Sequence, residues 1–344
     1  MQPQRTCLAV LVLAGLAPVV NAEVQIGVNI TGSTYGEGGF TCVPPDTMGA
    51  VGPDHFVELI NCRFAVYSKL DGQLVYESSD RYFWNEIAGS TSWTGAGKDP
   101  RILYDPYAQR WFACAIDLGR GDNNVMLAIS QTPDPTQAWR GLAFDPDPTG
   151  CYWLDFPTLG FDSVGVYIRG QMVRLGSCQP TSPKTLIILP KADLLLDPPT
   201  DANKTIEEDL AGYPVQPVVN WDNSGLPGRV LGLNPFHPIS FHLISVTGSI
   251  NDPIVTVGDP IQDLLAGFSG GAGDQPGPKA DITASTIKIP SSPILRDGVI
   301  WAVHNRQRVG GRMFIHWHRI DPSLNEMGVT RVPLCSPPAF SPHQ

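Results

Sequence analysis

Three aspartates stand at the head of successive repeats in this chain, and their type and placement suit two kinds of chemistry. Asp46 heads 46–54 (DTMGAVGPD), Asp99 heads 99–105 (DPRILYD) and Asp155 heads 155–162 (DFPTLGFD). Two carboxylates placed across a sugar bond act as acid and as nucleophile or base. Several oxygens gathered at one point hold Ca²⁺, the candidate cofactor. The competing role is structural, each Asp accepting backbone N–H groups in its own turn. That role ranks first, calcium second and catalysis third, because no Glu recurs at equivalent positions. Asp54, Asp105, Asp162, Asp222 and Asp297, in the hairpin turns that end the phrases, read as purely structural.

The elements that must position these groups are β-strands. Each phrase precedes a β-rich run, at 55–61, 110–116 and 164–168, and weaker copies follow at 216–222 and 294–297. A repeat of this length predicts an all-β fold, a β-propeller of about five recognisable blades with four strands each. In a propeller the start of each repeat lies near the innermost strand, so Asp46, Asp99 and Asp155 are expected at one mouth of the channel. Asp71-Gly72 marks a tight turn between strands at 63–69 and 74–77. A short helix is expected at 191–196 and one helical turn at 261–265. The Gly-rich stretch 267–278 reads as a mobile loop. Ring closure has two solutions: five blades closing with help from residues 23–40, or a propeller truncated short of its missing blades. The second is favoured, because the Pro-rich ending makes no central strand.

The N-terminus reads as a signal peptide, residues 1–22, with Arg5 before an apolar run and a small-residue cleavage site. An extended lead-in (23–45), the propeller domain (46–332) and a Pro-rich tail (333–344) follow. The chain is then secreted or periplasmic, with no membrane span in its mature form. The formal charge of −10 and the lack of a Lys/Arg cluster exclude nucleic acid as a partner. In an oxidising compartment Cys42 pairs with Cys62 and Cys151 with Cys178 by position, Cys114 stays a buried thiol, and Cys335 is left over.

Other groups carry weaker signals. His316 and His318 lie on one strand face, with His304 as a third metal ligand on a neighbouring strand, against the simpler reading of a half-buried face. Arg120-Gly-Asp122 has the form of an adhesion tripeptide but falls in a predicted turn. Trp84, Trp93, Trp139, Tyr152 and Trp153 fall between strands or at strand ends. They either stack a glycan at the channel mouth or pack between blades, the commoner fate.

The segment 44–53 (PPDTMGAVGP) resembles the opening of a group of secreted bacterial proteins without an assigned activity. DPRILYDPYAQRW at 99–111, AISQTPDPT at 128–136 and FPTLGFD at 156–162 follow in the order found in that group. The resemblance covers about residues 40–330 and implies a propeller-like fold. The group runs on for at least one more blade and has no catalytic residues to carry over. KDPRILY at 98–104 is also similar to the Arg-Asp-Pro segment of invertase-like five-bladed glycoside hydrolases, which implies transition-state stabilisation by Asp99. Their Asn-Asp-Pro-Asn and Glu-Cys motifs are absent here. The function expected is therefore a non-catalytic binding or surface-interaction scaffold for a glycan or protein ligand. The alternative is a glycan-active hydrolase using Asp46, Asp99 and Asp155.

Overall fold

The computed structural model describes residues 27–89, 96–117, 123–178, 184–208, 210, 215–234, 240–262, 272–273, 282–283, 291–307, 313–323 and 326–328. The signal peptide, Trp93, Arg120–Asp122, most of the Gly-rich stretch, Cys335 and the tail lie outside them.

The protein is all-β. Among the described residues the strands form three four-stranded antiparallel sheets, one nine-stranded sheet and a two-stranded pair, and they divide along the chain into five consecutive units. Unit 1 holds β1 (Gly49–Val51), β2 (His55–Ile60), β3 (Arg63–Ser68) and β4 (Leu74–Ser78). Unit 2 holds β5 (Lys98–Asp105), β6 (Arg110–Ile116), β7 (Val125–Ser130) and β8 (Trp139–Phe144). Unit 3 holds β9 (Tyr152–Phe161), β10 (Gly165–Arg174), β11 (Lys184–Pro190) and β12 (Thr205–Glu207). In unit 4 the first strand is split into β13 (Val215–Pro217) and β14 (Val219–Asn220), followed by β15 (Gly228–Asn234), β16 (Ser240–Ser249) and β17 (Asp252–Gln262). A two-stranded pair, β18 (Ala272–Gly273) and β19 (Ile282–Thr283), precedes unit 5: β20 (Ile294–Arg296), β21 (Val299–Gln307), β22 (Met313–Asp321) and β23 (Glu326–Gly328).

First strands lie side by side: β1 beside β5, β5 beside β9, and β9 beside β13 and β14. β14 pairs in parallel with both β9 and β20, joining units 3, 4 and 5. Alternation within each strand sends one apolar set to each neighbouring unit. Val57, Leu59 and Phe64 thus meet Ile102, Trp111 and Met126 between units 1 and 2. Phe112 and Ile129 meet Phe161 and Ile168 between units 2 and 3. Tyr167 and Ile188 meet Val230 and Ile244 between units 3 and 4. Phe241 meets Ile300 and Ile320 between units 4 and 5. Among the described residues no such core joins unit 5 to unit 1. The free face of unit 5 carries Trp301 and Trp317, 40% and 49% exposed.

Four expectations need correction. The run expected at 164–168 is part of a longer strand, β10, which continues to Arg174 past a bulge in the facing strand β9. Ile261 closes β17 by pairing with Phe241 instead of starting a helical turn. The expected helix at 191–196 stops at Leu194. The lead-in is not simply extended: it turns at Glu37–Gly39 and is tied down twice, by Ser33 on Glu58 and by the Cys42–Cys62 disulfide.

Cys151–Cys178 forms as expected, bridging 27 residues at the outer end of the β9–β10 hairpin. Closing a loop of that size in the unfolded chain is worth about 3.5 kcal/mol. Cys151→Ser with Cys178→Ser therefore lowers unfolding free energy by roughly that amount. Urea denaturation with and without reductant checks it: the two proteins differ when oxidised and should coincide when both are reduced, since reductant opens Cys42–Cys62 in each.

Candidate active site

The inner strands of units 1, 2 and 3 begin with the same irregularity. In unit 2, Lys98 pairs with Ile116 and Arg101 with Cys114, so Asp99 and Pro100 together oppose Ala115. In unit 3, Asp155 pairs with Gln171 and Thr158 with Arg169, so Phe156 and Pro157 oppose Gly170. In unit 1, the Asn61 N–H reaches Pro45 O (2.9 Å) and the Leu59 N–H reaches Met48 O (3.2 Å), so Asp46 and Thr47 oppose Ile60. Each is a β-bulge that bends its strand and re-aims a side chain. The first bulged residue is left-handed in all three: φ is 46° at Asp46, 51° at Asp99 and 53° at Phe156. Asp tolerates that region because its short side chain bonds locally; for a bulky Phe it is an outlier. Such residues cost about 1–3 kcal/mol each and gather at functional sites.

This register refines the repeat. The counterpart of Asp46 and Asp99 is Phe156, and Asp155 stands one residue earlier. Asp46 and Asp99 are nevertheless tied together through Asn61, and the charges of Asp46 and Asp155 both act on the Asp99 carboxyl. Asn61, buried, holds the pair: its Nδ2 donates to Asp46 Oδ2 at 2.6 Å, and its Oδ1 accepts the Asp99 N–H at 3.2 Å. Burial first, then Asp46, then the charge of Asp155 push the Asp99 carboxyl up to about 6. Nearby Arg101 opposes that rise.

Arg101 binds the three bulges together. Its guanidinium is buried, donates from Nε to Pro157 O at 2.6 Å, meets Met48 Sδ at 3.0 Å and lies 4.8 Å from the Phe156 ring centroid. Burial lowers its pKa, and the charges of Asp99 and Asp46 partly restore it. Sequence reasoning passed over both Asn61 and Arg101. The recurrent signal was there for Arg101, two residues after Asp99 as Met48 is two after Asp46. Nothing in the sequence singles out Asn61, which is recruited from the end of a hairpin.

The tryptophans divide. Trp84 and Trp139, expected at a ligand surface, are instead fully buried between units 1 and 2. Trp139 donates to Pro135 O at 2.8 Å and stands edge-on to Phe64 and Phe83. They are packing residues: Trp139 opens β8 with its side chain turned to the apolar interface, and Trp84 reaches the same interface from the helical turn at Phe83–Ile87. Tyr152 is buried in the next core. Trp153 is half-buried, two residues before Asp155 on β9, and its indole N–H has no hydrogen-bond partner. Of the histidines, His318 is buried against Phe241, centroids 4.6 Å apart. It faces the core between units 4 and 5, in line with the simpler reading of that strand face. The side chains of His304 and His316 lie outside the description. Among the described residues no group of three or more His, Cys, Asp or Glu has metal-holding geometry.

The five turn aspartates behave as structural groups wherever their bonds are described. Asp162 Oδ1 accepts the Val164 and Gly165 N–H groups, and Asp222 accepts those of Asp297 and Gly298.

No family model and no curated protein matches the chain. Solved structures do match. An exo-beta-1,3-galactanase from Phanerochaete chrysosporium with galactose is 11% identical, with a TM-score of 0.42 over 85% of this chain and 64% of that one. The polysaccharide lyase Uly1 is 10% identical, TM-score 0.42, over 79% and 54%. The alpha-L-arabinofuranosidase from Podospora anserina is 10% identical, TM-score 0.37, over 80% and 89%. The chain thus spans less than two thirds of the galactanase. Superposition at this level assigns neither site nor substrate. The expectation of a non-catalytic scaffold runs against what the matched structures are, carbohydrate-active enzymes, a statement that holds for those proteins.

Proposed function

We propose that the chain is a secreted glycan-active hydrolase built on a β-propeller, with Asp46, Asp99 and Asp155 at the mouth of its channel. One observation supports this reading: Asp46 and Asp99 sit at strained bulges bridged by Asn61, and the Asp99 carboxyl, raised also by the charge of Asp155, holds its proton to about pH 6. A turn aspartate needs none of that. Asn61 holds Asp46 and Asp99 side by side, whereas glycosidase carboxyls stand about 5–10 Å apart across the sugar bond. The Asp46–Asp99 pair therefore acts from one side as the proton donor, and Asp155 from the other as base or nucleophile. Trp153, beside Asp155, supplies an aromatic wall for a sugar ring. Two disulfides suit an oxidising compartment, and among the described residues no helix is long and apolar enough to cross a membrane.

The test is reducing-sugar release from a panel of neutral and acidic polysaccharides by the folded chain and by Asp155→Asn. The expected outcome is release by the parent on at least one polysaccharide and loss of about 10²–10⁴-fold in the variant. Release that survives Asp155→Asn unchanged, or none from a folded parent, rejects the assignment.

A further inference from the structure

Arg169 lies on β10, opposite Thr158 and beside the Phe156–Pro157 bulge. It is two residues from Gln171, the register partner of Asp155, so about 7 Å along the strand from that pair. Only 4% of its surface is exposed. Its Nε has no hydrogen-bond partner among the described residues. Burial alone accounts for its pKa falling to about 10, with no opposing charge near enough to raise it. It therefore remains a cation at neutral pH. The other buried or half-buried arginines differ: Arg101 donates to Pro157 O, Arg63 pairs with Glu58 and Glu77, and Arg229 donates to Ser245 Oγ.

A buried Nε–H without an acceptor on a guanidinium that has no paired charge is costly, because its desolvation is not repaid. Native structures keep few such groups, and each asks for a reason. Packing is a poor one, since a Met or Leu of similar volume fills the same space without the penalty. An absent acceptor is a better one. Guanidinium binds carboxylate or sulfate oxygens through charge-assisted, often bidentate bonds.

We infer that Arg169 is the anion-recognising residue of the substrate site, and that the glycan taken by this protein carries an acidic group, a carboxylate or a sulfate ester, on a unit bound beside Asp155. This rests on the glycan-active reading above. The thermodynamic logic is direct: the acidic substituent completes a pair that the free protein leaves half-made, so the neutral analogue forfeits the whole interaction.

The experiment is calorimetric binding to the full chain with three probes: trigalacturonate, its methyl ester, and a sulfated trisaccharide. The Arg169→Met and Arg169→Lys variants follow, with thermal midpoints for all proteins. The expected result is at least tenfold tighter binding of trigalacturonate or the sulfated sugar than of the ester. Arg169→Met abolishes that preference and Arg169→Lys retains part of it. Preference for the uronate identifies a carboxylate and preference for the sulfated sugar a sulfate; both uphold the inference. Arg169→Met is also expected to keep or raise the thermal midpoint, because an unpaired buried charge is removed. Equal or absent binding of all three probes overturns the inference, as does a fall in midpoint with the preference intact. Failure of the parent reading looks different: the anionic probe binds through Arg169, yet no polysaccharide in the panel is cleaved.

Discussion

Asp99→Asn lowers kcat by about 10²–10⁴-fold and removes the acid dependence of what activity remains. Asp99 carries a proton that is present below about pH 6 and lost above it. If that proton goes to the leaving group, kcat of the parent falls as pH rises through about 6. The Asn side chain holds no titrating proton, so its residual rate is flat over the same window. Stability moves in the same sense. The folded carboxyl is raised from 3.8 to about 6, so the folded state binds the proton more tightly. The resulting stabilisation is fully present below about pH 4 and is lost as pH climbs through about 6. Thermal midpoints at pH 4 and pH 7 should therefore differ in the parent and converge in Asp99→Asn. Because Asp99 is only half-buried, solvent screening keeps the difference modest. A parent whose rate rises through pH 6 assigns the pair the wrong role, and one whose midpoint is flat there shows that the proton is not held.

Much of this arrangement was legible because it repeats. The Asp-x phrases mark inner strands in units 1 to 3, and the strand at 63–68, the turn at Asp71-Gly72 and the strand at 74–78 follow from propensity and turn chemistry alone. Both described disulfides follow from where the cysteines flank the phrases. What escaped depends on the third dimension. Asp155 looks like the counterpart of Asp99 by spacing, but the register of β9 on β10 gives that position to Phe156. Pattern cannot reveal a bulge, since the extra residue changes pairing without changing composition. Trp84 and Trp139 read as surface groups because they sit near strand ends, whereas the packing of unit 1 on unit 2 buries them. Asn61 and Arg169 carry no local signature at all. Each matters through a contact, or the want of one, to residues at least twelve positions away or to none.

Lys191→Met destabilises the protein by about 3–5 kcal/mol, the cost of leaving a buried charge unpaired. The Lys191 ammonium is 5% exposed and lies 2.5 Å from Asp105 Oδ2, with Asp105 at 0%. It also donates to the Asp162 carbonyl and stands 4.9 Å from the Phe161 ring. Asp105 remains occupied on its other oxygen, which accepts the Tyr107 and Ala108 N–H groups, so it cannot turn away when the ammonium is gone. Adding Asp105→Asn removes the stranded charge while keeping an oxygen for those donors. The double variant should recover most of the loss, a coupling of more than about 1 kcal/mol in a double-mutant cycle by chemical denaturation. Additive losses would show that the pair is no more than two independent packing groups. The position of this contact explains why it is kept despite its desolvation cost. Asp105 ends β5 and Asp162 follows β9, and the opposite ends of those strands carry Asp99 and Asp155, about 20 Å away. One ammonium thus clamps the far ends of the two strands whose near ends hold the opposed carboxyls. An apolar replacement packs the space but fixes no register between the strands. Lys191→Met with Asp105→Asn, though stable again, should therefore recover less of its kcat than of its unfolding free energy, as single-turnover rates on any cleaved glycan would show.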